Sequence, residues 1–99
     1  MTPRELVYSR SKRSLTVVPE DGAPFTLPAT LLRVESPSAE VQGHGPGQKR
    51  TVTGKENVGI ERMEPVGNYA VRLIFDDGHD SGIYSWAYLA ELSRQHAQA

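Results

Sequence analysis

The sequence predicts an α+β fold in which a twisted antiparallel sheet of five or six strands packs against two main helices. The prediction rests first on the stretch from Asn68 to Leu92, which has the pattern strand, tight turn, strand and helix. It rests also on an earlier stretch with the same pattern and on a long polar segment between the two. We therefore expect two halves, each a hairpin followed by a helix, joined by a long polar loop rich in glycine.

The second half carries the clearest pattern. Val71, Leu73 and Phe75 alternate with other residues, which predicts a strand with one well-buried face. Residues 76–78, with the sequence Asp-Asp-Gly, are typical of a tight turn, because glycine tolerates a positive φ and aspartate bonds its own backbone. A short return strand then leads to a helix that Ser85 can cap. One face of this helix carries three residues at helical spacing, namely Trp86, Leu89 and Ala90.

The first half repeats this order. Residues 15–22 align with residues 71–78, and the return strands align at Leu27 and Ile83. Pro28 is well placed to open a helical turn through Leu31 and Leu32, because proline is favoured at the start of a helix. Two further short strands are predicted, around Leu6 and Tyr8, and from Val58 to Glu64.

Residues 33–57 separate the halves and contain few hydrophobic side chains. Ser36 and Pro37 can begin a short helix that extends to Gln42 and stops at Gly43. The Gly-Pro-Gly sequence at 45–47 then precludes regular structure. A loop of this length inside a compact domain usually forms a binding surface or is disordered.

Composition bounds the classes of protein to consider. The chain of 99 residues fits a single domain, with about five residues at the N-terminus and about six at the C-terminus frayed. It has no cysteine, which excludes disulfides and thiolate metal sites. There is no apolar run long enough for a membrane span and no signal-peptide core, so we expect a cytoplasmic protein. The net charge of −1 argues against nucleic acid as a partner. We interpret the local basic clusters as solvated loops.

The sequence contains no assembled catalytic set. The glycines at 43, 45 and 47 fit neither the P-loop nor the dinucleotide-binding fingerprint. No G-x-S-x-G motif, thiol or paired acid and base is found, so we predict that the chain is not an enzyme. Five aromatic residues that a nucleic-acid stacking platform would need are better explained, for the most part, by core packing. They are Tyr8, Tyr69, Tyr84, Trp86 and Tyr88.

Metal binding remains an alternative on local sequence. His79 is flanked by Asp76, Asp77 and Asp80, and a histidine among carboxylates on a rigid turn can bind a divalent cation with a second ligand from elsewhere. The same residues are more commonly those of a polar hairpin turn.

Two stretches resemble the gamma-butyrobetaine hydroxylase-like N-terminal domain family, whose stand-alone bacterial members form a domain of unknown function. The first is residues 32–47, LRVESPSAEVQGHGPG, and the second runs from GNYAV at residue 67 to DDGHDSGIYSW, which ends at residue 86. The resemblance extends over most of the chain, from Leu6 to Leu92.

The resemblance implies a lost zinc site. In the hydroxylases this domain precedes a separate iron-dependent catalytic domain and carries zinc on three cysteines and one histidine. Those cysteines would fall at Ser36, Ser38 and Val41 and the histidine at His79, so we expect that zinc site to be absent. The resemblance also implies that the segment from Ser36 to Val41 lies beside His79, which would bring His44 near the acidic turn. Related domains occur with carriers of iron–sulfur clusters, which implies an accessory role around metalloproteins.

These observations predict a non-catalytic binding or adaptor module whose partner is another protein, with no membrane and no nucleic acid involved. The alternative is a metal-binding protein that holds iron or zinc through His79 with His44 or nearby carboxylates. The predicted binding surface comprises Arg33, Glu35, Glu40, Gln42, His44, Gly45 and Gly47.

Overall fold

The described part of the chain folds into two successive halves, each of three antiparallel strands followed by one helix. The structure is a computed structural model that describes residues 3–37 and 57–96. The α+β class and the repeated order of hairpin and helix are confirmed. The first half contains β1 (Pro3–Ser9), β2 (Ser14–Pro19), β3 (Phe25–Pro28) and α1 (Ala29–Val34). The second contains β4 (Ile60–Val66), β5 (Ala70–Phe75), β6 (Gly82–Ser85) and α2 (Trp86–His96).

The first sheet has the order β1-β2-β3, with β2 in the centre. Residues of β2 alternate between buried and half-buried positions, as expected for a strand with one face on the core. Leu15 pairs with Leu27 in the register of β2 and β3, and both are buried in the core. On the opposite face, the Oγ1 atoms of Thr16 and Thr26 form a cross-strand hydrogen bond of 2.9 Å.

The second sheet has the order β4-β5-β6, and β5 is its most buried strand. Val71 lies opposite Tyr84 and Leu73 lies opposite Gly82 in the pairing of β5 with β6. Arg72 interrupts the buried run of β5 and forms an ion pair with Glu64 of β4 at 2.8 Å. The predicted buried strand is thus present, with its polar residue on the outer face.

The prediction of one sheet with five or six strands is not confirmed, because the strands of the described residues form two sheets of three. Within the described residues, β1 pairs only with β2 and β4 pairs only with β5, so both are edge strands. Each contains a proline, Pro3 in β1 and Pro65 in β4, and each has a register shift near its start. These features interrupt a hydrogen-bond ladder and are typical of sheet edges. A hydrogen bond of 3.0 Å from Ile60 N to the Tyr8 hydroxyl joins the two edges at one end.

The helices α1 and α2 pack on the core and begin as predicted. Pro28 precedes α1 in an extended conformation, with φ −67°. Ser85 precedes α2 and its Oγ accepts a hydrogen bond from Tyr88 N at 3.1 Å, which is an N-terminal cap. Neither α1 nor α2 is long and apolar enough to cross a membrane. The core contains residues of both halves, including Leu15, Val17, Leu27, Leu32, Leu73, Phe75, Tyr84, Leu89 and Leu92.

The short helix predicted from Ser36 to Gln42 lies mostly outside the described residues. Ser36 and Pro37 follow α1 without helical structure. Ser36 is fully buried although its side chain is polar.

Candidate functional site

The turn between β5 and β6, residues 76–81, is bonded to the segment that ends the first half and to the segment that begins the second. Asp76 N donates to Gly59 O at 2.9 Å, and Gly59 N donates to the Oδ1 of Asp76 at 3.1 Å. On the other side, Arg33 Nε donates to the Oδ2 of Asp77 at 2.9 Å. The Arg33 and Asp77 side chains are 8% and 17% exposed, so water screens this ion pair only weakly. The β5–β6 turn therefore fixes the relative position of the two halves.

A buried polar cluster lies beside this turn. The Oγ of Ser36 is 2.9 Å from the Nε2 of His79, and these residues are 0% and 5% exposed. The imidazole ring packs against Phe75, with 5.9 Å between ring centroids. The turn also positions His79 through its backbone, because His79 O accepts a hydrogen bond from Phe75 N. The structure thus brings Ser36 beside His79, as the family resemblance implies.

Two tyrosine hydroxyls from the second half bond to the end of α1. Tyr84 donates to the carbonyl of Leu32, and Tyr88 donates to the carbonyl of Glu35 at 2.5 Å. Burial raises the pKa of Tyr84 well above its usual value and raises the pKa of Tyr88, where the Glu35 carboxylate adds to the effect. Both tyrosines therefore stay protonated at neutral pH and satisfy carbonyls that a helix leaves unpaired at its end.

Gly82 leaves the space that Ser36 and Tyr84 occupy beside β6. A Cβ at this position would lie 2.7 Å from the Oγ of Ser36 and 2.8 Å from the Cε1 of Tyr84. Both distances are shorter than carbon–oxygen or carbon–carbon contacts allow, so only glycine fits without a shift of the cluster. Sequence reasoning did not identify the roles of Gly82 or the Tyr84 hydroxyl. The residues that they contact, in and just after α1, lie about fifty positions away in the chain.

The described residues do not fit the zinc site that the resemblance implies. The nitrogen of His79 that faces the former cysteine position contacts the hydroxyl of Ser36, which is a poor zinc ligand beside a thiolate. The carboxylates around it have other contacts, since Asp77 pairs with Arg33 and Asp80 pairs with Arg72 at 3.5 Å. Within residues 3–37 and 57–96, no three His, Cys, Asp or Glu side chains are placed to hold a metal ion. Ser38, Val41 and His44 lie outside the described residues.

The predicted binding surface is described at two of its positions. Arg33 is only 7% exposed, and its ion pair with Asp77 places it in the interior and not on a surface. Glu35 is half-buried at the end of α1. The other predicted residues lie outside the described residues, and these are Glu40, Gln42, His44, Gly45 and Gly47.

A second feature, which the sequence analysis did not identify, is an apolar cleft between the edge strands β1 and β4. Its volume is about 340 Å³. At one end, Trp86 is held by a hydrogen bond of 2.7 Å from its Nε1 to the Asn68 carbonyl, and its backbone N donates to Tyr69 O at 3.2 Å. Tyr69, one of the five aromatic residues of which most were expected in the core, is 62% exposed. The apolar lining consists of Leu6, Met63, Pro65, Val71 and Trp86.

Comparison with known proteins identifies structural relatives over nearly the whole chain. A crystal structure of a protein of unknown function from the DUF971 family of Acidithiobacillus ferrooxidans is 39% identical, with a TM-score of 0.78, and the match covers 93% of this chain and 92% of that one. A protein solved by NMR is 50% identical with a TM-score of 0.81, over 95% of this chain and 70% of its own. A second NMR structure is 45% identical with a TM-score of 0.79, over 98% and 76%. No curated protein matches the chain.

A family model provides the last comparison. The model of the gamma-butyrobetaine hydroxylase-like N-terminal domain matches residues 6–90. This range contains β2 to β6 and α1 completely, together with most of β1 and the first five residues of α2. The family that the two sequence stretches resemble is therefore confirmed. The chain belongs to the gamma-butyrobetaine hydroxylase-like N-terminal domain family.

Proposed function

We propose that this protein is a non-catalytic protein-binding module whose docking site is the cleft between β1 and β4. The observation that carries the proposal is the cleft itself, an apolar space of about 340 Å³ bordered on both sides by edge strands. Pockets that bind ligands typically have volumes of roughly 300–1,000 Å³, so this cleft can take one or two bulky side chains.

The chemistry of the borders favours an extended peptide as the occupant. An edge strand presents backbone N–H and C=O groups that can pair with an added strand, while the pocket beside it receives alternate side chains. Pro3 and Pro65 lack an N–H, which limits this pairing to the central parts of β1 and β4. Arg4 and Glu5 lie at the cleft and offer one positive and one negative charge to the flanks of the peptide.

Trp86 at the end of the cleft, with Tyr69 bonded to its backbone, supports the same proposal. Tryptophan and tyrosine are enriched among the residues that contribute most to protein–protein binding. Trp86 is held in place by its bond to Asn68, so its ring loses little freedom when a partner binds. Tyr69 is 62% exposed and therefore accessible to a partner.

The contact between Ser36 and His79 resembles a nucleophile with its base, but it does not favour a catalytic role. Ser36 and His79 are in hydrogen-bond contact, but Ser36 is fully buried. A substrate carbonyl cannot approach its Oγ while Ser36 stays buried. The contact is therefore better explained as structural.

The remaining parts of the predicted function stay predictions. No observation in the described residues favours the alternative of an iron or zinc protein built on His79 and His44. A role beside metalloproteins follows from the family resemblance alone. The cleft replaces Arg33 and its neighbours as the surface that we propose for the partner.

The test is a selection of random twelve-residue peptides displayed on phage against the wild-type protein. Selected peptides are then measured by the fluorescence of Trp86, which is the sole tryptophan of the chain. Met63→Gln places an amide in the cleft, and Ile83→Gln makes the same change at a position on β6 that is 46% exposed.

The proposal predicts that Met63→Gln weakens binding of the selected peptides at least tenfold while Ile83→Gln leaves it unchanged. The melting temperature of each variant shows whether the fold is retained. Peptides that bind Met63→Gln as tightly as the wild-type protein would contradict the cleft as the docking site.

A further inference from the structure

We infer that the peptide that docks in the cleft between β1 and β4 carries an acidic side chain four residues from its apolar anchor, and that Arg10 and Arg13 bind this side chain. The inference rests on the proposed function and adds the charge and the spacing that the site recognises. It follows from polar pockets that continue the cleft toward the β1–β2 turn.

The cleft adjoins further pockets along the edges of β1 and β4. A second pocket, of about 320 Å³, shares Met63 with the cleft and is lined by Tyr8 and Arg10. A third pocket, also of about 320 Å³, shares Tyr8 and Arg10 with the second and extends to Arg13. The three pockets therefore form a row between the two edge strands, with an apolar end at the cleft and a polar end at the β1–β2 turn.

Strand β1 sets the distance between the two ends of this row. Leu6 and Tyr8 are half-buried on one face of β1, while Val7 between them is 46% exposed on the other. Arg10 follows β1 directly and keeps this period of two, since it lines the polar pockets together with Tyr8. Leu6 and Arg10 are four residues apart, which corresponds to about 13 Å in an extended strand. A peptide strand paired with β1 therefore presents to Arg10 the side chain four residues from the one that lies against Leu6.

The β1–β2 turn, residues 10–13, is basic and is held by a backbone hydrogen bond. It contains Arg10, Lys12 and Arg13 and no acidic residue. The carbonyl of Arg13 accepts a hydrogen bond of 2.8 Å from Ala29 N at the start of α1. The backbone of Arg13 has a positive φ of 48°, a conformation that glycine adopts with the least strain. A long side chain is uncommon at such a position, and the place of Arg13 at the polar pocket gives a functional reason for it.

The charges at the polar end favour a carboxylate as the ligand. Within the part of the chain that the structure describes, neither Arg10 nor Arg13 forms an ion pair with a carboxylate. Glu61 and Asp76 also line the pocket, but the Oδ1 of Asp76 already accepts a backbone N–H. With Lys12, the turn sets three positive charges against these two negative ones. A guanidinium can bind a carboxylate through two parallel N–H···O bonds, so the two arginines suit an aspartate or glutamate of the peptide.

The experiment uses peptides selected on the wild-type protein whose binding Met63→Gln weakens. The apolar anchor of each peptide is the residue whose replacement by alanine weakens binding most. We expect an aspartate or glutamate four residues from this anchor, because a side chain at that spacing reaches Arg10. Peptides that share the anchor but show no preference for an acidic residue at this position would overturn the inference.

Synthetic variants of one such peptide test the contact directly. All are amidated at the C-terminus, so that the acidic side chain is the carboxylate under test. Replacing the acidic residue by its amide should weaken binding about three- to fivefold, the effect of an exposed ion pair. Moving it by one position should have a similar effect, because neighbouring side chains of a strand point to opposite faces. Equal binding of the three peptides would overturn the inference.

Two protein variants separate this contact from a general effect of charge. Arg10→Gln removes a cation that lines the polar pockets, and Arg94→Gln removes one that is 67% exposed on α2. Arg10→Gln should weaken binding of the acidic peptide about three- to fivefold and leave binding of the amide peptide unchanged. Arg94→Gln should leave the binding of both peptides unchanged. The melting temperature of each variant shows whether the fold is retained.

The outcomes distinguish a failure of this inference from a failure of the proposed function. If Arg10→Gln leaves binding of the acidic peptide unchanged while Met63→Gln weakens it, the inference is wrong and the cleft remains the docking site. If no selected peptide responds to Met63→Gln, the inference and the proposed function are both wrong.

Discussion

Ser36 and His79 lie 43 positions apart in the chain, yet the Oγ of one is 2.9 Å from the Nε2 of the other inside the protein. Around this contact the β5–β6 turn also holds Arg33 through Asp77 and Gly59 through Asp76. These bonds explain how two small half-domains, with sheets that do not join, keep one arrangement. That arrangement in turn positions the cleft between β1 and β4.

The first prediction concerns the space at Gly82. Gly82→Ala should lower the free energy of unfolding by about 1–3 kcal/mol, because the new methyl group lies within 3 Å of Ser36 and Tyr84 and buried crowding carries such a cost. Urea unfolding of the variant measures this loss.

A double variant tests whether crowding against Ser36 causes that loss of stability. Ser36→Ala removes the nearest of the three atoms that a Gly82 methyl would meet, so Gly82→Ala should cost less in the Ser36→Ala protein than in the wild type. Equal costs in both backgrounds would show that Ser36 does not crowd this position.

The ion pair between Arg33 and Asp77 gives the second prediction. Asp77→Ala should cost about 3–5 kcal/mol of unfolding free energy, because it leaves the Arg33 guanidinium buried without its carboxylate. Arg33→Met in the same protein should recover part of this loss, which thermal unfolding of the single and double variants measures.

An exposed ion pair serves as the control for this prediction. Arg72 and Glu64 also form an ion pair at 2.8 Å, but their side chains are 36% and 41% exposed. Glu64→Gln should therefore cost no more than about 1 kcal/mol. A loss at Glu64 as large as that at Asp77 would contradict the importance of burial.

The third prediction concerns alkaline pH. Burial raises the pKa of Tyr84 above its ordinary value of 10.0, so the protonated hydroxyl stabilises the fold fully below pH 10. This contribution is lost as the pH rises toward the folded-state pKa, at up to about 1.4 kcal/mol per pH unit for each such tyrosine.

Chemical denaturation of the wild type and of Tyr84→Phe between pH 8 and pH 11 measures this dependence. The range extends roughly one unit or more on each side of the usual tyrosine pKa. The variant should be less stable at pH 8, since it leaves the Leu32 carbonyl without its donor, and should lose less stability than the wild type above pH 10. Parallel curves for the two proteins would contradict the raised pKa of Tyr84.

The sequence predicts local structure well because its signals are local. The alternation of Val71, Leu73 and Phe75 identifies β5, and Ser85 is the residue that caps α2. Which strands join in one sheet is not encoded in such patterns, and the edges of β1 and β4 stay apart although both halves were correctly identified.

Long-range contacts explain what sequence reasoning missed. Arg33 was expected on a surface, but Asp77 lies 44 positions away and draws its guanidinium into the interior. Most of the aromatic residues were expected in the core, but the β4–β5 turn leaves Tyr69 exposed, with its ring against Gly67. The position of Ser36 beside His79 followed from the family resemblance, whereas the bond from Tyr84 to Leu32 had no signal in the sequence.

The most direct test of the docking site uses the methyl group of Met63, because the chain contains only two methionines, Met1 and Met63. Protein labelled with ¹³C at the methionine methyls is titrated with a peptide selected on the wild type. We expect the Met63 methyl and the Trp86 indole N–H to shift saturably with the same Kd. Saturable shifts around Ile83 and Arg72, with Met63 and Trp86 unchanged, would contradict the cleft as the binding site.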